Sequence, residues 1–180
     1  ERSADHGRSR QILLFGYLGA GTFCSVGSQT PTPCAPGTFN ALTNATTCQK
    51  CPAGEFQDSE RATSCKVCDP GHYCEEGAAG YQDTPCPAGY WCPVGSGAPY
   101  AHPCAAGTWN NRSAQEHQGR CWNCTIGNYC PTGSWEPTPC PPGTWSWFQR
   151  AGAVQACQAC TAGWACPESG TSRMTTPCAV

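Results

Sequence analysis

"CPAGEF", residues 51–56, is a phrase that the chain repeats. It returns as CAPGTF at 34–39, CDPGHY at 68–73, CPAGYW at 86–91, CAAGTW at 104–109, CTIGNY at 124–129, CPPGTW at 140–145 and CTAGWA at 160–165. The template is a cysteine, two spacers, a glycine, one spacer and an aromatic; the last copy departs from it with Ala165, its tryptophan displaced to Trp164. Its opening cysteines (Cys34, Cys51, Cys68, Cys86, Cys104, Cys124, Cys140 and Cys160) stand 16 to 20 residues apart, and Cys178 falls where a ninth copy would open. LGAGTFC at 18–24 fits the same template, with Leu18 in the place of the opening cysteine. A short fixed period belongs to a linear array of repeats, each packed on its neighbours.

Two kinds of module follow from where the second cysteine lies. In long modules it comes late and ends the module in Cys-x-x-Cys: Cys34 with Cys48, Cys51 with Cys65, Cys104 with Cys121, Cys140 with Cys157. In short modules it comes after five residues: Cys68 with Cys74, Cys86 with Cys92, Cys124 with Cys130, Cys160 with Cys166. These modules end in Pro-Cys, through Pro85, Pro103, Pro139 and Pro177; the partial first module does so through Pro33. Pairing each cysteine with its neighbour in the module is the preferred scheme. A loop of this size is worth ~2–3 kcal/mol in the chain-entropy model. It leaves Cys24 and Cys178 over; they meet each other across a subunit boundary, or one stays free. A scheme shifted by one pairs every cysteine but requires four Cys-x-x-Cys bridges, a geometry of redox-active sites. Crossed pairings in the short modules stay open, because spacing does not fix connectivity.

Within the motif, a cysteine at i, proline often at i+1 and glycine at i+3 are the preferences of a type I turn, with Pro52, Pro87 and Pro141 presetting the backbone. The chain then leaves extended, and the residue two after the glycine is Phe39, Phe56, Tyr73, Trp91, Trp109, Tyr129 or Trp145. Seven rings in register are expected to stack between successive disulfides. Each could cover ~150–250 Å².

Such a substitute is needed. Leu, Ile, Val and Phe form about 9% of the 180 residues, below the ~20% at which an aliphatic core becomes doubtful. Yet net charge is only −2 and one residue in ten is aromatic, unlike a disordered chain. The eighteen cysteines make this a covalently stapled protein of an oxidising compartment. Three Asn-x-Ser/Thr sites, Asn44, Asn111 and Asn123, agree with secretion and predict N-linked glycans. The predicted fold is a set of small disulfide-rich repeats, forming an elongated solenoid-like rod of short β-strands and turns with little helix. Residues 18–180 make the tandem array and 1–17 an extension.

The stretch CAPGTFNALTNATTCQKC, 34–51, resembles the first cysteine module of tumour-necrosis-factor receptors and the ephrin-receptor-like cysteine-rich repeats of extracellular proteins. The resemblance runs from about residue 18 to 180. It supports the Cys34–Cys48 and Cys51–Cys65 bridges and implies an irregular disulfide-laddered rod. It carries over no ligand-binding residue, and the short modules depart from the receptor pattern. Similar arrays occur in surface and fibre glycoproteins of algae and other protists, flagellar hairs included, and this chain is similar to that kind.

Residues 1–17 break the repeat. QILLFGYL, 11–18, sets Ile12, Leu14 and Leu18 on one face of a strand and Leu13, Phe15 and Tyr17 on the other. Apolar residues on both faces point to a strand covered on both sides. It either folds back on its own first modules or lies on a neighbouring copy as an added strand. The second course makes a head-to-tail filament. A signal-peptide reading, from Arg2, Arg8 and Arg10 ahead of the apolar run, ranks lower. The run is shorter than the ~20 residues of a membrane span.

The expected function is therefore a structural subunit of an extracellular or cell-surface filament or coat, whose partners are copies of itself. The alternative is a receptor or adhesin ectodomain for an extracellular ligand, with Trp122, Trp135 and Trp147 available outside the ring series. CQKC and CKVC, thirteen residues apart, read in isolation as a four-cysteine zinc site, but within a uniform cysteine array they read as module ends. No metal or other cofactor is expected apart from covalent glycans. His6, His72, His102 and His117 are scattered, His72 and His102 reading as exposed spacers. The carboxylates form no pair, and GAGTF at 19–23 lacks the basic helix start of a phosphate loop. With two lysines and no basic stripe, neither an enzyme nor a nucleic-acid binder is expected.

Overall fold

The computed structural model describes residues 19–174 and 176–178. The strand foreseen over Ile12, Leu13, Leu14, Phe15, Tyr17 and Leu18 lies outside them.

The protein is a small disulfide-rich repeat fold made of two-stranded antiparallel ribbons. In every module the two residues after the motif glycine run against the two residues before the next opening cysteine. Thr22–Phe23 pairs with Thr32–Pro33, Thr38–Phe39 with Gln49–Lys50 and Glu55–Phe56 with Lys66–Val67. Further along, Thr108–Trp109 pairs with Trp122–Asn123, Asn128–Tyr129 with Thr138–Pro139, Thr144–Trp145 with Gln158–Ala159 and Trp164–Ala165 with Thr176–Pro177. The modules opened by Cys68 and Cys86 keep one bridge each, His72 to Pro85 and Tyr90 to Pro103. The Cys-x-x-Cys and Pro-Cys endings are thus one structural position, the return strand. Proline is accepted there because each strand is an edge and its missing N–H breaks no inner ladder. The following cysteine closes every ribbon, its N–H donating to the motif glycine carbonyl at 2.8–3.1 Å, from Cys34 to Gly21 through Cys178 to Gly163.

The turn that starts each ribbon differs from the expectation by one residue. The N–H after the glycine donates to the carbonyl after the cysteine, as in Glu55 to Pro52 and Tyr90 to Pro87. Glycine therefore holds the third place of the turn, and Gly54 has φ of 91°. Positive φ there marks a type II turn, where a side chain is resisted. Pro52, Pro87 and Pro141 consequently precede the bend rather than preset it.

Among the described residues helix is confined to two 3-10 turns, Gln118–Arg120 and Val154–Ala156. Both lie in the long modules whose bridge spans 17 residues instead of 14, so the three additional residues are taken up as one short turn. Among the described residues no helix is long and apolar enough to cross a membrane.

Three series of backbone bonds join each module to the next. The motif glycine N–H donates to the carbonyl three residues beyond the next glycine, from Gly21 to Asn40 through Gly143 to Cys166, at 2.7–2.9 Å. That third residue in turn donates onward, from Cys24 to Ala45 through Ser146 to Thr171, at 2.8–3.1 Å. The residue before this second acceptor donates back to the preceding opening cysteine, from Arg61 to Cys34 through Gly170 to Cys140, at 2.8–3.0 Å. The back-donors have positive φ: Arg61, Ala114 and Arg150 in long modules, and Gly77, Gly95, Gly133 and Gly170 in short ones. Modules two apart also touch. A Cβ on Gly37 would lie 2.2 Å from the Gly77 carbonyl oxygen, closer than atoms approach, so this glycine is required by contact as well as by its φ of 82°.

Candidate functional site

Eight disulfides tie these ribbons: Cys34–Cys48, Cys51–Cys65, Cys68–Cys74, Cys86–Cys92, Cys104–Cys121, Cys124–Cys130, Cys140–Cys157 and Cys160–Cys166. Every bridge lies within a module, and none closes a Cys-x-x-Cys pair. The four cysteines of CQKC and CKVC are divided among three of the bridges. Cys24 and Cys178 are unpaired among the described residues, Cys178 being exposed.

The sulfurs occupy the centre of the stack. All the opening cysteines from Cys34 to Cys140 are buried completely, as are Cys74 and Cys130, while Cys160, last of the series, is half-buried. Position three after the motif glycine explains the two kinds of module. In short modules it is the second cysteine. In long modules it is Asn40, Gln57, Asn110 or Ser146, each at most 5% exposed. A buried polar group must be hydrogen-bonded, and these bind their own loops. Asn110 Nδ2 donates to the Arg112 carbonyl at 3.1 Å while Oδ1 accepts the Arg112 N–H at 3.0 Å. Asn40 does the same with Leu42 and also donates to the Thr22 carbonyl at 2.7 Å, one module back. Gln57 holds Ser59 and Ser64, and Ser146 Oγ donates to the Phe148 carbonyl. The sequence reading passed over these four residues. Their signal was positional, since counting from the glycine places them where Cys74, Cys92 and Cys130 stand.

The ring series forms no continuous stack. Phe56 is the buried member, packed with Cys68 and Cys74; Phe39, Tyr73, Trp91, Trp109, Tyr129 and Trp145 are half-buried. Their partners lie outside the series: Tyr81 on Phe56, His102 on Trp91, Trp122 on Trp109, with centroids 4.7–5.2 Å apart. Cystines and neighbouring backbone fill the axis, so the rings line its flank. His72 and His102 are accordingly not exposed spacers but half-buried against Tyr81 and Trp91.

At the surface, Asn44, Asn111 and Asn123 are all exposed, open to the modification that their sequons predict. Trp122, Trp135 and Trp147 are 41%, 57% and 61% exposed. They do not converge on a shared contact; Trp122 carries the Arg112 guanidinium 5.5 Å from its ring centre, and Trp147 packs on Phe148. Lys66 donates to Asp58 at 2.6 Å. That bond, with the Ser59 hydroxyl, holds the Asp58 carboxyl below its usual range. His117 lies 3.8 Å from Glu116, beside Arg120; His6 is outside the described residues.

Two overlapping windows, residues 21–68 and 37–83, match the family described as tyrosine-protein kinase ephrin type A/B receptor-like. Residues 21–83 are thus similar to ephrin-receptor-like cysteine-rich repeats. The windows begin on Gly21 and Gly37, one module apart, so the ephrin-receptor-like unit slides along the array by its own period. No curated protein matches the chain. Beyond residue 83 the same bridges and bond series continue to Cys166 and Thr171. Eight disulfides and the ephrin-receptor-like repeats together indicate an extracellular, receptor-like or structural domain.

Proposed function

We propose that the chain is a structural subunit of an extracellular glycoprotein filament or surface coat, with a rod of stacked modules that assembles head-to-tail. The observation that carries this reading is the pattern of inter-module bonds: all three series run between adjacent modules, and the longest reaches only from Gly170 back to Cys140. Stability in such an array is a sum of local and nearest-neighbour terms, so it lengthens without a change of design. Glycans on Asn44, Asn111 and Asn123 would keep a narrow rod soluble and protease-resistant. The reading assigns the chain no catalytic role, no nucleic-acid partner and no cofactor beyond its glycans. Residues 1–17 supply an added strand to the next copy.

Electron microscopy of the purified, oxidised chain tests it: fibres are expected, and dispersed single particles at high concentration would refute it. Polymers unchanged after deletion of residues 1–17 would remove that segment's part. The receptor or adhesin reading rests on the exposed Trp122, Trp135 and Trp147, and would gain from a chain that stays monomeric while capturing a ligand through them.

A further inference from the structure

We infer that Thr138, in the middle of the array, is an acceptor for an O-linked sugar, and that this sugar lies on the Tyr129 ring. The inference does not depend on the filament reading; it needs only a chain that passes through a secretory compartment.

The return strand supplies a cover for the ring opposite it. The residue two before each opening cysteine faces the ring two after the preceding motif glycine. Lys66 sets its ammonium 5.8 Å from the centre of the Phe56 ring, His102 lies 4.7 Å from Trp91, and Trp122 lies 5.2 Å from Trp109. In the module opened by Cys124 the same place is held by Thr138, paired in register with Tyr129. Opposed side chains on such a ribbon have Cβ atoms about 4.5–5.5 Å apart. Threonine ends one atom beyond Cβ and does not span a ring. Tyr129 is half-buried and has no aromatic or cationic partner among the described residues.

The hydroxyl of Thr138 is also available where others are spent. Thr22, Thr38, Thr108 and Thr144, each next to a motif glycine, donate to turn carbonyls at 2.6–2.7 Å. Thr84, which precedes Pro85 at the equivalent place, is half-buried, its hydroxyl 2.5 Å from the Tyr73 carbonyl oxygen and 2.9 Å from that of Tyr81. Thr138 is exposed, and no such bond holds its hydroxyl among the described residues. Pro137 and Pro139 flank it. A proline keeps the residue before it extended, so Glu136 and Thr138 present an extended edge, the form in which a peptide enters a groove. Pro-Thr-Pro-Cys recurs at 31–34, where Thr32 is exposed and paired with Phe23; Thr32 is the second acceptor. Thr176 precedes Pro177 as well but faces Ala165, which has no ring to cover.

Transfer forms a bond between Thr138 Oγ1 and the anomeric carbon of a nucleoside-diphosphate sugar, and breaks the bond from that carbon to the diphosphate. The hydroxyl proton passes to a base of the transferase, and the nucleoside diphosphate leaves. The pyranose then turns a face of C–H groups to the negative face of the Tyr129 ring.

The test uses the chain of 180 residues, produced free of O-glycans, in its oxidised form and again after reduction and alkylation. Each is incubated with uridine-diphosphate N-acetylgalactosamine and a polypeptide N-acetylgalactosaminyltransferase, and the modified threonines are located by electron-transfer mass spectrometry. The ratio of transfer at Thr138 to transfer at Thr84 should be roughly tenfold higher in the oxidised chain, because there the Thr84 hydroxyl must first leave its carbonyls. Comparing the two forms cancels the enzyme's own preference for flanking residues. In the glycosylated, oxidised chain, nuclear Overhauser contacts should join the sugar C–H protons to the Tyr129 ring. No transfer to Thr138 in the oxidised chain, or a ratio that reduction leaves unchanged, overturns the acceptor assignment. A sugar on Thr138 without contact to the ring overturns its place on Tyr129.

Discussion

Asn110→Ala tests whether the buried polar residues of the long modules substitute for a cystine. Asn110 is completely buried and makes two hydrogen bonds with Arg112, at 3.1 and 3.0 Å. Each is worth about 1 kcal/mol net, and a buried group left without its partner adds to the loss. Arg112 is exposed, so water can reach its freed N–H and the second contribution is small. We expect a local cost of about 2–3 kcal/mol, relying on the same hydrogen-bond values. Asn110→Ser should cost about half as much, because one hydroxyl bond suffices at Ser146. Global melting is the wrong assay, since a repeat array opens locally and not as two states. Native-state hydrogen exchange read at the amides of Gly89 and Asn110 is the right one: the first donates to the Asn110 carbonyl and the second to Ser134. At 1.4 kcal/mol per tenfold, protection there should fall by roughly 30- to 150-fold, with amides around Asn40 unaffected. Unchanged protection at both amides would refute the argument that this side chain holds the junction.

Other consequences are open to direct measurement. Gly37→Ala, with its Cβ set 2.2 Å from the Gly77 carbonyl oxygen at a φ of 82°, should cost about 3 kcal/mol or more and lower the yield of correctly bridged protein; a normal disulfide map and normal exchange would contradict the tight stacking. Ala114→Gly relieves a positive φ of 56° and should slow exchange at the Ala114 amide, by about 1 kcal/mol less the entropy of the new glycine. Enzymatic removal of N-glycans from secreted protein should lower its mass at Asn44, Asn111 and Asn123, and no shift would remove the glycoprotein part of the account. Peptide mapping without reduction should recover Cys104–Cys121 and Cys124–Cys130 as separate bridges; a Cys121–Cys124 bridge would overturn the pairing.

The period, the two module types and the return strands were open to reading because cysteine, glycine and proline mark them at fixed offsets, and few other residue types could stand there. Gln57 and Ser146 were passed over for the opposite reason. Several small polar side chains can reach their own loop backbone, so the position varies while its burial does not. The turn was placed one residue early because Pro52, Pro87 and Pro141 suit the second place of a bend, whereas the positive φ of Gly54 demands the third. The rings were expected on the axis because the chain lacks aliphatic residues. The axis is instead filled by sulfur from Cys34 to Cys140, and by Asn110 and Ser146, which leaves Trp91 and Trp109 to pack sideways on His102 and Trp122. Nothing in the cysteine spacing distinguishes a ring between disulfides from a ring beside them.

The central claim is that cross-linked sulfur, and not apolar burial, keeps this array folded. Its most direct measurement is the hydrodynamic radius of the monomeric chain before and after mild reduction, taken with a count of free thiols. The account predicts two reactive thiols before reduction, from Cys24 and Cys178, then a rise to eighteen with expansion toward the dimensions of an unfolded chain. A reduced chain that keeps its compact radius and its exchange protection would contradict it.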